Sequence, residues 1–529
     1  MEIDLDLAEA RSAPFRSRVC VVGAGVAGLV LAHRLSRQGI DVALLEAGGH
    51  TLEARSQSLF TSAQFAGTQH LGAHEGRFRI FGGSSTQWGG QILPMQMEHE
   101  ESPWPLSAAA LEPFYAEAQR LLGVDELPFD ADAFFAATEV TAPPLLAALP
   151  EIDVRYSKWA PFARRNLAMT IGHDLVASTN KTNGVVTLFL HANVTEVLLS
   201  AKGDRAEAVL ARNYAGKEFR FEAEHFVVAA GTIETSRLLL ASRSIQSQGI
   251  GNAHDQVGRY FHDHLSLVAA SPVGKTRAQL LRWLAPYIFD GTVHTAKLEA
   301  SFPLRQRLQL NAIMAHLTVD EPEDSGIAVV REVLQSRQRG GVVRTLLQRA
   351  PQLPTSLLEA SRLAWHAKVR HRRFVSAKAA VSLRLNVEQE ARSGSRILLS
   401  TDRDALDMPL AIVDWKISDA ETSTLRRFAG YLREHLASLD PAEMQWNEEL
   451  FAENINLSGI IDVFHTMGGT QMGKDPRASV VDTDLAVHGV ANLSIASAST
   501  FPTGGSQLPT LPLMALALRL ADRIALGTA

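Results

Sequence analysis

The chain has 529 residues, of which 46% are hydrophobic and 20% charged, and its formal net charge is −6. That length exceeds one small module, the composition is globular rather than disordered, and the acidic balance argues against a nucleic-acid partner. The single cysteine, Cys20, excludes an intramolecular disulfide and a cysteine-built zinc or iron–sulfur site, and suits a reducing compartment.

The opening stretch carries Glu2, Asp4, Asp6 and Glu9 and lacks the basic start and apolar core of a signal peptide. No run of 18 apolar residues occurs, so the expectation is a soluble cytoplasmic protein without a membrane span. Arg18–Val22 reads as a buried strand. Gly23-Ala24-Gly25-Val26-Ala27-Gly28 follows, then apolar residues at helical spacing up to Gly39, then a second strand, Asp41–Leu45, ending in Glu46. Further strands are expected at Val185–Leu190, Val194–Leu199, Glu207–Arg212, Glu218–Glu224 and His225–Ala230, with a helix at Glu234–Ala241. Strands follow at Ala380–Val387 and Ser395–Leu399, and an amphipathic helix at Leu425–Leu439. The chain closes with a strand, Asn492–Ala496, a Pro/Gly/Ser loop, and a helix from Thr510 to about Leu526 with Thr510 as N-cap.

One segment differs in charge. Residues 331–373 hold ten Arg or Lys against Glu332 and Glu359, about +8, so the remainder carries about −14. Gly340-Gly341 and two prolines make it broken helix. Two readings stay open: a solvated cover over the substrate domain, or a basic surface that meets an anionic substrate or a membrane face.

The glycine turn carries the first chemistry. Gly23, Gly25 and Gly28 form G-x-G-x-x-G between a strand and a helix, so the backbone approaches a pyrophosphate and the helix N-terminus faces it. Glu46, 18 residues beyond Gly28, is placed to accept hydrogen bonds from an adenosine ribose. This is a dinucleotide site; FAD and NAD both remain open from the motif. Phe81-Gly82-Gly83-Ser84-Ser85-Thr86-Gln87-Trp88-Gly89-Gly90 is a loop able to lie flat against a ligand. Two late blocks complete the set: His465-Thr466-Met467-Gly468-Gly469-Thr470, and Ala496-Ser497-Ala498-Ser499-Thr500-Phe501-Pro502-Thr503 running on to Leu508-Pro509-Thr510.

These four blocks, with Val228–Thr235 and Val257-Gly258-Arg259…Asp263-His264, resemble the glucose–methanol–choline (GMC) oxidoreductase family from about residue 18 to 526. The Ser-Thr-x-Trp and Gly-Gly-Thr patterns look most like pyranose oxidase and related sugar-oxidising enzymes. The resemblance implies an α/β fold with a Rossmann-like FAD-binding domain (14–95, 185–270 and 455–529). Interleaved with it is an α+β substrate domain (96–184 and 271–454), an antiparallel sheet with covering helices. It implies oxidation of an alcohol, including that of a sugar, by hydride transfer to flavin N5, with His465 as the base that takes the hydroxyl proton. The electron acceptor is left open between oxygen, a quinone and a redox protein, and no metal is expected. FAD contacts fall on Gly23, Gly25, Gly28, Glu46, Gly83, Ser84, Ser85, Trp88, Val194, Ala230, Gly231, Ser497, Ala498, Pro509 and Thr510. The last helix would point its N-terminus at the flavin and stabilise the anionic reduced ring. His262, His264 and His488 read as structural.

Three departures matter. The family usually has Asn or His just before the last Pro-Thr; here it is Leu508, which cannot hydrogen-bond a hydroxyl, with Gln507 adjacent. Alcohol oxidation by His465 alone or with Gln507 therefore stands beside two alternatives: a changed flavin reaction (isomerisation, elimination or desaturation) and a non-catalytic FAD-carrying partner subunit. Second, Gln87 stands where pyranose oxidase has the histidine that tethers the flavin, so non-covalent FAD is expected. Third, Ser497 replaces an Asp found in many relatives.

Overall fold

The computed structural model describes all residues except 10–12, 98–102, 178–183, 324, 340–346, 350–352, 438, 453–458 and 528–529. The glycine turn begins where sequence places it. The Phe15–Val22 strand ends in four buried residues, and the Val26–Arg37 helix follows after Gly25. Val42–Leu45 then pairs parallel with Phe15–Val22. In this sheet the strands run Glu2–Asp4, Val186–Leu190, Val42–Leu45, Phe15–Val22, Glu218–Val228, Ala206–Arg212 and Asn193–Leu199. Val22, Leu45 and Val228 end side by side, so the sheet presents one carboxyl edge where ligands of such folds lie.

The two strands expected at Glu218–Glu224 and His225–Ala230 are one strand, Glu218–Val228. Its first half pairs antiparallel with Ala206–Arg212 and its last three residues pair parallel with Leu493–Ile495, so partners change without a turn. The 425–439 helix runs instead from Asp419 to His435, because Ser418 and Glu421 form a capping box that starts it earlier. Thr510 is not an N-cap: it is the first residue of the Thr510–Leu526 helix, whose N-cap is Pro509 with no side-chain cap.

A second sheet is antiparallel: Met444–Trp446, His264–Pro272, Ala380–Glu388, Ile313–Asp320, Thr292–Ala300, Ile152–Trp159 and Gln91–Ile92. Its strands at Gln91–Ile92 and His264–Pro272, with Ile461–Asp462 beside the latter, come from stretches expected on the FAD side. The chain therefore crosses from one sheet to the other next to Trp88, His264 and His465. Two apolar cores form, one around the parallel sheet and the last helix, one around the antiparallel sheet. In the basic segment, helices Gly326–Arg339 and Leu353–Val369 lie on either side of Gly340-Gly341, which falls outside the described residues. Among the described residues no helix is long and apolar enough to cross a membrane.

Candidate active site

A cavity of about 670 Å³ opens between the two sheets. One end is the glycine turn. Gly23 has φ +103°, and a Cβ there would lie 2.5 Å from the Ala229 carbonyl oxygen. Gly25 has nothing within 4 Å of a Cβ, so its open face is cavity. Glu46, 5% exposed, accepts hydrogen bonds from the Gly48 amide (2.9 Å) and the Ala24 amide (3.2 Å). Burial pushes its carboxyl up to about 7, against the pull of those amides and Arg79.

Gly83, Ser84, Ser85, Trp88, Val194, Ala230, Gly231, Ser497, Ala498, Leu508, Pro509 and Thr510 also line the cavity, with His465. Two expected residues do not. Gly28 packs the turn, where a Cβ would sit 1.9 Å from the Gly23 oxygen. Gln507 is buried against Glu299, its Nε2 donating to Oε2 at 3.0 Å, so it does not stand in for the missing Asn or His.

The residues fit FAD. The Val26 and Thr510 helices both begin on the cavity without a side-chain cap and without an acid in the first turn, leaving backbone N–H groups for anionic oxygens. Glu46 and the open face of Gly25 suit the adenosine diphosphate half.

At the other end stands His465. Its backbone N–H donates to Asp263 Oδ1 (3.0 Å), which also takes the His264 N–H (2.6 Å). His70 Nε2 donates to Asp263 Oδ2 (3.1 Å), since its Nδ1 already accepts from the Ala73 amide (3.1 Å). Burial alone would raise the Asp263 carboxyl, but the bond from His70 and the neighbouring imidazoles hold it below its ordinary value. The His465 ring is lowered to about 4, first by burial and then by His264, so it is neutral at neutral pH.

His264, expected to be structural, touches this ring: the two Nδ1 atoms are 3.0 Å apart. His264 Nε2 faces the Gly505 carbonyl at 2.8 Å. A carbonyl only accepts, so Nε2 carries a proton, and in the singly protonated ring Nδ1 carries the lone pair. His465 must then donate from Nδ1, which leaves its Nε2 bare. Sequence missed this contact because the two histidines approach from separate elements; the His264–Pro272 strand gave no local signal of it. It also missed the wall formed by Gln91, Trp159, Lys297, His316 and Asn386, which lie on the antiparallel sheet.

Comparison with known proteins agrees with this layout. Residues 173–266 and 391–517 match GMC oxidoreductase, and 21–85 match an NAD(P)-binding Rossmann-like domain. The chain is 25% identical to 6'''-hydroxyparomomycin C oxidase of Streptomyces lividus, over 96% of this chain and 91% of that one. It is 23% identical to the fructose dehydrogenase large subunit of Gluconobacter japonicus, over 96% and 97%. Among solved structures, pyridoxine 4-oxidase from Mesorbium loti superposes with a TM-score of 0.55 at 18% identity, covering 96% of this chain and 99% of that one. Formate oxidase superposes at 0.58 and 15%, covering 98% and 99%. With the glycine turn, the two uncapped helix starts and His465 around one cavity, these matches establish that the chain belongs to the GMC oxidoreductase family and is an FAD-dependent oxidoreductase.

Proposed function

We propose that the protein oxidises the CH–OH group of a small alcohol or sugar, with His465 Nε2 accepting the hydroxyl proton. The observation that carries this reading is the His264–His465 bond, which leaves a neutral imidazole with its lone pair available beside the cavity. When bound, FAD supplies the two-electron acceptor that takes the hydride from the carbinol carbon. The chain's part is positioning. Asp263 ties the backbones of His264 and His465 together, and Leu508 keeps the wall next to the last helix apolar. The uncapped starts of the Val26 and Thr510 helices offer N–H groups to the cofactor's anionic groups. Similarity to paromamine 6'-oxidase and C-glycoside 3-oxidase supports a sugar-like substrate.

We assign the FAD contacts to the cavity-lining residues named above, and a packing role to Gly28. We place FAD binding chiefly on 14–95, 185–270 and 455–529, and substrate binding on 96–184 and 271–454. The test is anaerobic flavin bleaching by a panel of sugars and alcohols. His465→Ala should slow bleaching by about 10²-fold or more. Equal rates would remove His465 as the base, and turnover without flavin reduction would favour a non-redox reaction.

A further inference from the structure

The substrate wall contains an ammonium group with no acid to answer it. Lys297 is 2% exposed, and its side chain lines the cavity. Among the described residues it forms no ion pair; with the Gln91 amide turned so that its oxygen faces Lys297, one neutral oxygen comes within 3.3 Å of Nζ. Glu299, two residues along the same strand face, is already committed. Arg155 grips both its oxygens through three hydrogen bonds (2.9, 3.0 and 3.2 Å), and Gln507 adds a fourth.

Register places more donors beside Lys297. Leu298 pairs with Ala315, which brings Lys297 opposite His316, and His316 in turn pairs with Arg384. His316 and Asn386 line the same cavity. His316 Nδ1 is buried without a hydrogen-bond partner among the described residues. Asn386 Oδ1 is used by Ser266 (2.7 Å), which leaves its NH₂ group for another acceptor. Across these strands Glu299 is bound by Arg155, and among the described residues neither Glu299 nor Glu388 forms an ion pair with Lys297. A buried ammonium without a counter-charge is costly and readily gives up its proton. Burial does push Lys297 down to about 7, against the field of Glu299. When charged, Lys297 thus has no anion at ion-pair distance among the described residues, and the cavity it lines is where one would come from.

We propose that Lys297, with His316 and Asn386, binds the carboxylate of the substrate, so that the alcohol oxidised beside His465 is a hydroxy acid such as a sugar acid. This rests on the reading of the cavity as an alcohol-oxidation site. A neutral polyol would satisfy Asn386 and His316 but leave the ammonium unanswered; a carboxylate answers all three with charge-assisted bonds.

The experiment separates the two readings by measuring binding without turnover. The oxidised FAD holoenzyme is titrated with acetate and with acetamide at constant ionic strength, following the flavin absorbance. Acetate should bind at least about tenfold tighter than acetamide. Lys297→Met should erase that preference and Lys297→Arg should restore part of it. Flavin content of each variant reports folding, and Asn386→Ala gives the same comparison should Lys297→Met lose its flavin. Acetate binding no tighter than acetamide, or binding unchanged in Lys297→Met, overturns the proposal. Anaerobic bleaching by glycerate against glycerol forms the second arm. A glycerate preference that collapses in Lys297→Met supports the subsite, and bleaching by glycerol alone counts against it. Acetate selectivity without bleaching by any alcohol would leave the subsite standing and overturn the alcohol reading instead.

Discussion

His264 and His465 are 201 positions apart in the chain and 3.0 Å apart at their Nδ1 atoms. In the proposed mechanism the pair supplies what Leu508 cannot. In place of a second polar group at the start of the last helix, a histidine from the antiparallel sheet orients the ring from behind. In the proposed mechanism His264 acts through His465, as a positioning residue.

Replacing His264 should therefore lower kcat while leaving KM nearly unchanged. For His264→Leu the expected fall is about 10- to 100-fold, the cost of an unfixed tautomer and a lost hydrogen bond. The pH profile separates this from simple damage. With His465 at about 4, the native profile should be flat above about pH 5 and drop below it. Removing His264 takes away a group that depresses the His465 ring, so the acid limb should move upward. His264→Asn, which keeps an acceptor oxygen, should recover part of the rate. An unmoved limb in both variants would assign His264 to packing only.

Leu508 is 6% exposed and lines the cavity beside Pro509. If, as we propose, His264 and His465 together make the proton acceptor, a polar residue at 508 has no vacancy to fill. Leu508→Asn should lower the rate of flavin bleaching by about tenfold, as an unpaired amide replaces apolar wall. A clear gain would mean that the native reaction is other than alcohol oxidation.

Acid should destabilise the fold through histidines held neutral. His225, bonded to Ser494 Oγ at 3.0 Å, is lowered to about 4 by burial and then by Arg205. His262 is also lowered to about 4, by burial. The unfolded chain protonates these rings near their ordinary 6.5. Between about 6.5 and 4 it thus binds more protons than the folded chain, and stability falls as pH drops through that window and is level above it. The loss for His225 is on the order of 3 kcal/mol at most. Glu46 opposes this, since its folded value of about 7 exceeds the ordinary 4.5, and its contribution is lost as pH rises through about 7. Thermal unfolding of the holoprotein from pH 4 to 8 should show the acid decline, and His225→Gln should make it shallower.

The glycine-turn end of the cavity was legible because its residues are local. Gly23, Gly25, Gly28 and Glu46 sit within one strand–helix–strand unit, where backbone approach and a terminal carboxylate leave a spaced signature. The place of His465 on the cavity was legible for the same reason, inside its Gly-Gly-Thr block. The substrate half was not. Lys297, His316 and Asn386 meet only through strand register, and each alone reads as one polar residue in a strand. The proton of His264 is decided by a carbonyl at Gly505, on a loop 241 positions away. The merged strand Glu218–Val228 escaped because its change of partner leaves no turn signal.

The flavin should come free. Cys20 is fully buried in the Phe15–Val22 strand, with its thiol pushed up by burial and so unreactive. Gln87, at the position of the tethering histidine, lines the cavity but carries an amide, which is not a nucleophile. Acid precipitation of the yellow protein should leave the flavin in the supernatant. Colour retained in a washed pellet would refute non-covalent binding.

Two glycines of one turn should respond differently to the same substitution. A Cβ on Gly25 meets nothing within 4 Å, and its φ of −79° suits alanine. The methyl would enter the space where we place the pyrophosphate. A Cβ on Gly28 would lie 1.9 Å from the Gly23 oxygen and force the helix away from the strand. Gly25→Ala apoprotein should therefore unfold within about 2 °C of the native apoprotein, yet bind FAD at least about tenfold more weakly. Gly28→Ala should lose stability already as apoprotein, by several degrees in Tm. The pair of measurements, apoprotein melting and FAD titration, distinguishes a glycine kept open for the cofactor from one kept small for packing. Native FAD affinity in Gly25→Ala would move the pyrophosphate away from this turn.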